Sequence, residues 1–215
     1  MAVDWQKFVE VIQSHERFIL TSHIRPDCDA LGSVLGMMDI LEQLGKDVIV
    51  VNGQPTPQNL AFIDPENRIK AIGVDVQLED LQDRDIHMVL DTSAWAQLGA
   101  MGDVIKSMDI PLIVVDHHQG EDDLGATFFK DTTAEAAGKL VADAADALGV
   151  TWTSRMARPL FAAVATDTGW YRFGSAGAGT YQLAARLIEA GASPAEIYGQ
   201  LYEQETLGRL RLRGT

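Results

Sequence analysis

The fold of this chain is indicated most clearly by one stretch, Arg17-Phe-Ile-Leu-Thr-Ser-His-Ile-Arg-Pro-Asp-Cys-Asp-Ala-Leu-Gly-Ser33. Its first six residues, 17–22, are a short apolar run that ends in small polar residues, which is typical of a buried strand. From Ala30 onward, leucine and methionine recur at helical spacing as far as Gly45, so a helix is predicted over Ala30–Leu44. A buried strand that passes through a polar loop into a helix is half of a βαβ unit and predicts a parallel sheet.

The same alternation of strand and helix patterns continues along the chain. Further strands are predicted over Asp47–Val51, Ile86–Leu90 and Pro111–Val115, and residues 54–67, with three prolines, are predicted to be a loop with one helical turn. Helices are predicted at six other places: Asp4–Ser14, Ala94–Ser107, Ala134–Leu148, Ser154–Thr166, Ala178–Ala190 and Pro194–Tyr202. The order predicts an α/β fold, a doubly wound, mainly parallel sheet flanked by helices.

Length and composition limit the class of protein. The chain has 215 residues, 47% of them hydrophobic, so it can bury a large core without cross-links. Its one cysteine, Cys28, allows no intrachain disulfide and favours a reducing cytoplasm. No apolar run approaches the ~20 residues of a membrane span, and the N-terminus lacks the order of a secretory signal. We therefore expect a cytoplasmic protein without a membrane partner, and a homodimer is compatible with the sequence.

The charge balance bears on the ligand. Seventeen basic and 31 acidic residues give a net charge of −14. This charge disfavours long duplex nucleic acid, whose binding depends on Lys and Arg neutralising phosphates. It does not disfavour a small phosphorylated nucleotide or a short RNA, because bound metal ions supply positive charge locally.

Aspartate and histidine side chains gather directly after the predicted strands, and one further aspartate lies near the end of the Ser154–Thr166 helix. In chain order they are His23, Asp27, Asp29, Asp91, Asp116, His117, His118 and Asp167. Since the carboxyl ends of parallel strands meet at one edge of the sheet, we expect these side chains to lie together there. Histidine and aspartate without cysteine are ligands for Mn²⁺, Mg²⁺ or Zn²⁺, and abundant oxygen favours the first two. So many carboxylates predict two ions, bridged by a shared carboxylate and by a hydroxide that can attack phosphorus.

Four motifs of the chain resemble those of the DHH phosphoesterase superfamily, in its order and at its usual separations: His23-x-x-Pro-Asp27-x-Asp29-Ala-x-Gly-Ser33, Asp91, Asp116-His117-His118 and Thr166-Asp167-Thr168-Gly169. The string Asp-Ala-Leu-Gly-Ser is most similar to the branch of bifunctional oligoribonucleases and phosphoadenosine-phosphate phosphatases, the nanoRNases. The resemblance spans about residues 5–213. It implies a Mn²⁺-dependent phosphoesterase that hydrolyses short oligoribonucleotides, linear dinucleotides or phosphoadenosine phosphate.

The resemblance also implies two ions, with Mn²⁺ expected and Mg²⁺ or another divalent ion as the alternative. One ion would be held by His23, Asp27 and Asp91. The other would be held by Asp91 together with three more side chains, which are Asp29, His117 and Asp167. Asp91 would therefore bridge the two ions.

Several further roles follow from the resemblance or from position. His118 would contact the substrate phosphate or assist protonation of the leaving group, so His118 and Asp91 are the catalytic candidates. Asp116 would orient a neighbouring ligand. Three residues are candidates for substrate contact: Ser33 at a helix start, where anions are attracted, Arg25 between two ligands, and Arg172.

The resemblance implies a division of the chain. Residues 1–200 would form the catalytic domain, and residues 201–215 would begin a helical linker to a second, substrate-gripping domain that the sequence lacks. Two other functions remain open. One is a pyrophosphatase or exopolyphosphatase with the same metal site, which the Asp-Ala-Leu-Gly-Ser string disfavours. The other is a catalytically silent nucleotide-binding module.

Overall fold

A six-stranded sheet forms the centre of the computed structural model, which describes residues 3–204. Its strands are β1 Arg17–Thr21, β2 Asp47–Asn52, β3 Ile69–Ala71, β4 Ile86–Leu90, β5 Leu112–Asp116 and β6 Thr127–Lys130. Every neighbouring pair is parallel, and the order across the sheet is β3-β2-β1-β4-β5-β6. The predicted doubly wound parallel sheet is therefore confirmed.

The four predicted strands agree with β1, β2, β4 and β5 to within one residue at each end. The strands β3 and β6 were not predicted. Both lie at the edges of the sheet and have only three and four residues. Runs of that length are too short for an alternating or continuous apolar pattern to stand out from the surrounding loops.

The helices cover both faces of the sheet. They are α1 Trp5–Ser14, α2 Cys28–Gln43, α3 Trp95–Leu98, α4 Ala100–Ser107, α5 Ala137–Leu148, α6 Ser154–Asp167, α7 Ala178–Glu189 and α8 Pro194–Tyr202. Short 3-10 turns occupy Gln58–Ile63 and Leu78–Leu81. The first of these is the helical turn predicted within residues 54–67.

The prediction of one helix over Ala94–Ser107 is wrong, because the chain breaks there into α3 and α4. Gly99 separates the two helices with a φ of 54°, a left-handed conformation that glycine adopts without a steric cost. A Cβ at Gly99 would lie 2.5 Å from Cγ2 of Ile24. The break therefore lets the chain pass close to the loop that follows β1.

Alternate residues of each strand enter different cores. On β1, Phe18 and Leu20 pack with α1, α2, α5 and α6 in the largest apolar cluster, whereas Ile19 faces α4 on the other side of the sheet. This alternation is expected from the period of two in strand side chains. Strands that are apolar on both faces are typical of a parallel sheet covered by helices on both sides.

The close approach of α2 to α6 depends on glycine. A Cβ at Gly32 would lie 2.4 Å from the carbonyl oxygen of Pro159 and 2.9 Å from Cβ of Ala163. One turn further, a Cβ at Gly36 would lie 2.7 Å from the side chain of Leu160. This contact brings the N-terminal end of α2 close to the C-terminal end of α6.

We expect Gly32→Ala to lower the free energy of unfolding by about 2 kcal/mol, because the added methyl group must displace backbone in a packed core. A urea denaturation midpoint measures the change. Gly179→Ala in α7 is the matched control, since a Cβ there meets nothing within 4 Å. The control should be neutral or slightly stabilising, because alanine is the better helix former. Equal effects of the two substitutions would contradict the close contact of α2 with α6.

The predicted linker begins at the C-terminal end of the described region. Of the predicted linker, residues 201 and 202 are the last of α8, and residues 205–215 lie outside the described part of the chain. Between residues 3 and 204, no helix is both long and apolar enough to cross a bilayer.

Candidate metal centre

The predicted site residues gather where three central strands end. His23 follows β1, Asp91 follows β4, and His117 follows β5. The strand order reverses direction at β1, because β1 lies between β2 and β4. The crevice beyond the carboxyl ends of the strands at such a reversal is the usual ligand site of an open parallel sheet.

Side-chain atoms that can hold a metal ion lie within 4.8 Å of one another in three overlapping groups. These sets, called the donor groups below because their atoms can donate electron pairs to a metal ion, are His23, Asp27 and Asp91; Asp29, His117 and Asp167; and Asp91, His117 and His118. The first two groups contain all six residues that the sequence nominates as metal ligands. Asp91 and His117 each occur in two groups, so the groups form one continuous cluster.

The imidazole of His117 faces three carboxylates. Its Nε2 lies 3.5 Å from Oδ1 of Asp91 and 3.6 Å from an oxygen of both Asp29 and Asp167. Asp29 comes from the start of α2, and Asp167 is the last residue of α6. The packing of α2 on α6 thus brings two of these three carboxylates together.

The imidazole of His23 faces the other oxygen of Asp91. Its Nε2 lies 3.4 Å from Oδ2 of Asp91 and 4.0 Å from Oδ1 of Asp27. The two oxygens of Asp91 are therefore directed to two different imidazoles. Because its two oxygens face two different imidazoles, the carboxylate of Asp91 is placed to join both sets of candidate metal ligands.

Both imidazoles present the same nitrogen to the carboxylates. Nδ1 of His23 lies 2.9 Å from the carbonyl oxygen of Ile24, and Nδ1 of His117 lies 3.1 Å from that of Ala134. Because a carbonyl only accepts, Nδ1 carries a hydrogen in each ring. In the neutral ring Nε2 then has the free electron pair that a metal ion needs.

Asp91 occupies a strained and buried position. It has a φ of 63°, in the left-handed region, and its side chain is 2% exposed. Its Oδ1 accepts no hydrogen bond from any residue in the range 3–204. Burying a carboxylate oxygen that accepts no hydrogen bond costs free energy. A bound cation would offset this cost, so the residues of the cluster fit a metal ion.

The electrostatics of the cluster also favour added positive charge. Burial lowers the pKa of His117, but attraction to Asp91 and Asp29 outweighs burial and raises this pKa to about 9. The pKa of His23 is likewise raised to about 9, because attraction to Asp91 and Asp27 exceeds the effect of burial. Burial raises the pKa of Asp29, and repulsion from Asp91 adds to the rise. Cations would relieve this repulsion among the carboxylates.

Asp29 is held by the start of α5. Its carboxylate accepts hydrogen bonds from the backbone N–H of Ala137, at 2.7 Å, and of Gly138, at 2.8 Å. The hydroxyl of Ser33 donates a third, at 3.3 Å. Ser33 is fully buried. The hydroxyl of Ser33 therefore orients Asp29 inside the protein, and its contact with substrate stays a prediction.

Asp27 caps α2 as well as joining the first donor group. Its Oδ1 accepts from the backbone N–H of Asp29 at 2.9 Å and of Ala30 at 3.0 Å. This cap explains why α2 begins at Cys28, two residues before the predicted start. Most of the Asp27 side chain is exposed.

Asp116 is buried and orients His118 instead of joining the donor groups. Its Oδ1 accepts from Nδ1 of His118 at 2.8 Å and from the His118 backbone N–H at 3.2 Å. The hydroxyl of Ser93 donates to Oδ2, and Nζ of Lys130 lies 3.4 Å from the same oxygen. Burial alone would raise the pKa of Asp116, but these hydrogen bonds outweigh burial and lower it.

Sequence reasoning missed Ser93 and Lys130. Ser93 stands two residues after Asp91, so its position after β4 was a usable signal. Lys130 is the last residue of the unpredicted edge strand β6, and no pattern in the sequence marks it. Together they complete the polar environment of Asp116.

The two predicted substrate-binding arginines are both exposed. Arg25 lies on the loop between His23 and Asp27 with a φ of 53°. Arg172 lies five residues after Asp167, and its Nε donates to the carbonyl oxygen of Gly169 at 2.7 Å. Both side chains are therefore open to solvent on segments that continue directly from the donor groups.

The fold and this cluster define an α/β protein with a candidate metal centre at the reversal of the sheet. The family model described as the DHH family, N-terminal domain, matches residues 17–165. The chain belongs to the DHH family, and the resemblance drawn from its motifs is confirmed.

Curated relatives named bifunctional oligoribonuclease and PAP phosphatase NrnA include proteins of Thermus thermophilus and Bacillus subtilis. The chain is 29% identical over 201 residues to the protein of Thermus thermophilus, covering 92% of this chain and 58% of that one. It is 27% identical over 213 residues to the protein of Bacillus subtilis, covering 97% and 64%. The chain thus spans about three fifths of the length of these relatives.

A solved structure confirms the shared fold. The crystal structure of an exopolyphosphatase-related protein from Bacteroides fragilis superposes with a TM-score of 0.90 at 23% identity. The match covers 98% of this chain and 63% of that one.

Proposed function

We propose that this chain carries the catalytic centre of a divalent-metal-dependent phosphoesterase that acts on short phosphorylated nucleotides. The expected substrates are short oligoribonucleotides, linear dinucleotides or phosphoadenosine phosphate. The observation that carries the proposal is Asp91, whose two oxygens face the imidazoles of His23 and His117. The names of the two curated relatives support the choice of substrates.

The proposed ligand sets follow the donor groups of the structure. His23, Asp27 and Asp91 would hold one ion. Asp91 would also contribute to the second ion, together with Asp29, His117 and Asp167. A set rich in carboxylate oxygen suits Mn²⁺ or Mg²⁺, and we propose Mn²⁺. When bound, two such ions supply positive charge to a phosphate and lower the pKa of water for attack at neutral pH.

His118 is proposed to hold the proton that the leaving group needs. Its Nδ1–H donates to Asp116, so Nε2 is the nitrogen from which a proton can be donated. The hydrogen bond to Asp116 raises the pKa of His118, which favours the protonated ring. The side chain is more than half exposed, so a substrate can reach it. Asp116, Ser93 and Lys130 position the ring.

Arg25 and Arg172 are proposed to contact the phosphates of the substrate. Their exposed guanidinium groups can pair with phosphate oxygens, often through two hydrogen bonds at once. We also propose that residues 1–200 act as the metal-bearing domain and that residues 201–215 lead toward further substrate contacts. The greater length of the two curated relatives supports this division.

Metal affinity should depend on pH. In the metal-free chain the pKa of His23 and of His117 is about 9, so both imidazoles hold a proton below that pH. A metal ion at Nε2 must displace the proton, so affinity for Mn²⁺ should rise from pH 6.5 toward 9. The rise is expected to be about tenfold per pH unit for each proton released. Calorimetric titration in buffers of different ionisation enthalpy measures both affinity and proton release. An affinity that stays flat over this range would contradict the assigned ligands.

A hydrolysis screen tests the proposed function. Turnover with Mn²⁺ is measured on a dinucleotide, phosphoadenosine phosphate, bis-p-nitrophenyl phosphate and pyrophosphate. We expect hydrolysis of the first three and none in the presence of a chelator. If pyrophosphate were the only substrate hydrolysed, the result would favour a pyrophosphatase. Nucleotide binding without turnover would favour a catalytically silent binding module.

A further inference from the structure

The segment that follows Asp167 has an unusual backbone. Gly169, Trp170 and Tyr171 have φ values of 57°, 60° and 62°, so three successive residues are left-handed. For residues with a Cβ this conformation costs on the order of 1–2 kcal/mol each. Strain of this kind persists only where surrounding contacts enforce it, and it is concentrated at functional sites. The turn directs the next two residues, Arg172 and Phe173, back toward its start.

Hydrogen bonds hold this turn against the end of α6. The backbone N–H groups of Arg172 and Phe173 both donate to the carbonyl oxygen of Thr168, each at 3.0 Å. The ring of Phe173 then lies against Gly169, where an added Cβ would be 2.4 Å from Cε1 and Cζ. Phe173 is therefore packed against Gly169. Gly169 lies two residues after Asp167, whose carboxylate faces His117 in the candidate metal centre.

The other aromatic rings of the segment are already in contact with one another. Trp170 packs edge-on against Tyr198 and Tyr202, with ring centroids 5.1 Å and 5.8 Å away. Tyr171 packs against Tyr181 at 5.6 Å. Among residues 3–204, Phe173 has no such ring partner, and 54% of its surface is exposed. An aromatic ring that is held in place and left open can stack with a planar group of a ligand.

Arg172, the residue before Phe173, supplies a positive charge on the same turn. Its Nε is held by the carbonyl of Gly169, and within the described part of the chain no carboxylate lies within 4.0 Å of its guanidinium. Its terminal nitrogens are thus available to an anion. In a chain with a net charge of −14, an arginine that meets no carboxylate among residues 3–204 is a local source of attraction for an anion.

We propose that Phe173 and Arg172 form a nucleotide-binding subsite beside the metal centre, in which a nucleobase stacks on the ring of Phe173 and a phosphate contacts Arg172. The subsite rests on the proposed phosphoesterase function and specifies its substrate class. Because every base has a π-face, stacking is tolerant of sequence. A pyrophosphate or polyphosphate has no base and would gain nothing from this ring. The subsite therefore selects nucleotides over simple phosphates.

The contribution of the base can be isolated with two ligands that share a sugar and a phosphate. Adenosine 5′-monophosphate carries a base, whereas ribose 5-phosphate does not. Calorimetry with Mn²⁺ present gives the affinity of the wild-type chain for each. Base stacking on an aromatic side chain predicts that adenosine 5′-monophosphate binds roughly tenfold more tightly or better.

Three variants locate this preference. Phe173→Leu should bring the ratio of the two affinities close to one and leave the affinity for ribose 5-phosphate unchanged. Phe173→Tyr keeps the ring and should keep the preference. Leu44→Ala removes an exposed apolar side chain just beyond the C-terminal end of α2 and should also keep it. An unchanged melting temperature for Phe173→Leu would show that an exposed ring was removed without loss of folding.

Each outcome supports or overturns the subsite. Equal wild-type affinity for the two ligands, no binding of either, or a preference that survives in Phe173→Leu would overturn it. The proposed function is tested separately by hydrolysis of bis-p-nitrophenyl phosphate. Turnover of that ester by a chain without base preference would refute the subsite and leave the phosphoesterase intact. A base preference without any turnover would support the subsite and refute the phosphoesterase function.

Discussion

Asp91→Asn is expected to reduce kcat/KM for phosphodiester hydrolysis by roughly a thousandfold or more. Asp91 faces both His23 and His117, so the substitution weakens the binding of two ions at once. Metal ions stabilise the charge of such a transition state by several kcal/mol, and each ~1.4 kcal/mol corresponds to a factor of ten in rate. Elemental analysis should show that both ions are lost or bind far more weakly.

Asparagine is the informative substitution at this position. Asp91 is left-handed, and asparagine tolerates that conformation better than alanine does, so Asp91→Asn tests charge with little added strain. Asp27→Asn should weaken one ion only, because Asp27 occurs in one donor group. Asp103→Asn, on the exposed side of α4, should leave metal content and turnover unchanged. Two ions retained at wild-type affinity in Asp91→Asn would refute the shared ligand.

Mn²⁺ is expected to raise the melting temperature by roughly 5–10 °C for each ion bound, and a chelator should reverse the rise. Asp29, Asp91 and Asp167 repel one another without cations, and a ligand that binds only the folded chain stabilises it by mass action. At a hundred times its dissociation constant, one ion contributes about 2.7 kcal/mol. For a domain of this size, each kcal/mol shifts the melting temperature by about 2–4 °C.

Differential scanning fluorimetry across a millimolar titration of Mn²⁺ measures the shift. Asp91→Asn should show little of it, and Asp103→Asn should show all of it. A wild-type melting curve that does not move would mean that the carboxylates do not assemble into a metal centre.

The central part of the fold was predictable because buried parallel strands have a continuous apolar pattern. Residues 86–90 and 112–116 are apolar over almost their whole length, since each face meets its own core. The edge strands β3 and β6 are short and have no such pattern. The break at Gly99 was also missed, because the reason for it lies in Ile24, 75 positions earlier in the chain.

The candidate site was predictable where position after a strand was the signal. That signal distinguishes His23 and His117 from His87, which lies within β4. His87 hydrogen-bonds to Thr21 in the buried sheet, and burial lowers its pKa to about 3. The position of Ser33 at a helix start did not indicate that the residue is buried and that its hydroxyl donates to Asp29.

The positions of Lys130 and Phe173 depend on packing that the sequence does not display. Lys130 reaches Asp116 only because β6 pairs with β5, and β6 has no recognisable pattern. Phe173 is placed by a left-handed turn in which only one of three residues is glycine. Residues of this kind are found from the structure, after the sequence has indicated where the site lies.

Anomalous diffraction at the manganese edge, from crystals grown with Mn²⁺, would locate the metal ions relative to Asp91. Two peaks are predicted, both within bonding distance of Asp91. One should also contact His23 and Asp27, and the other should contact three further side chains, namely Asp29, His117 and Asp167. A single peak, or two peaks of which only one contacts Asp91, would refute Asp91 as the ligand shared by two ions.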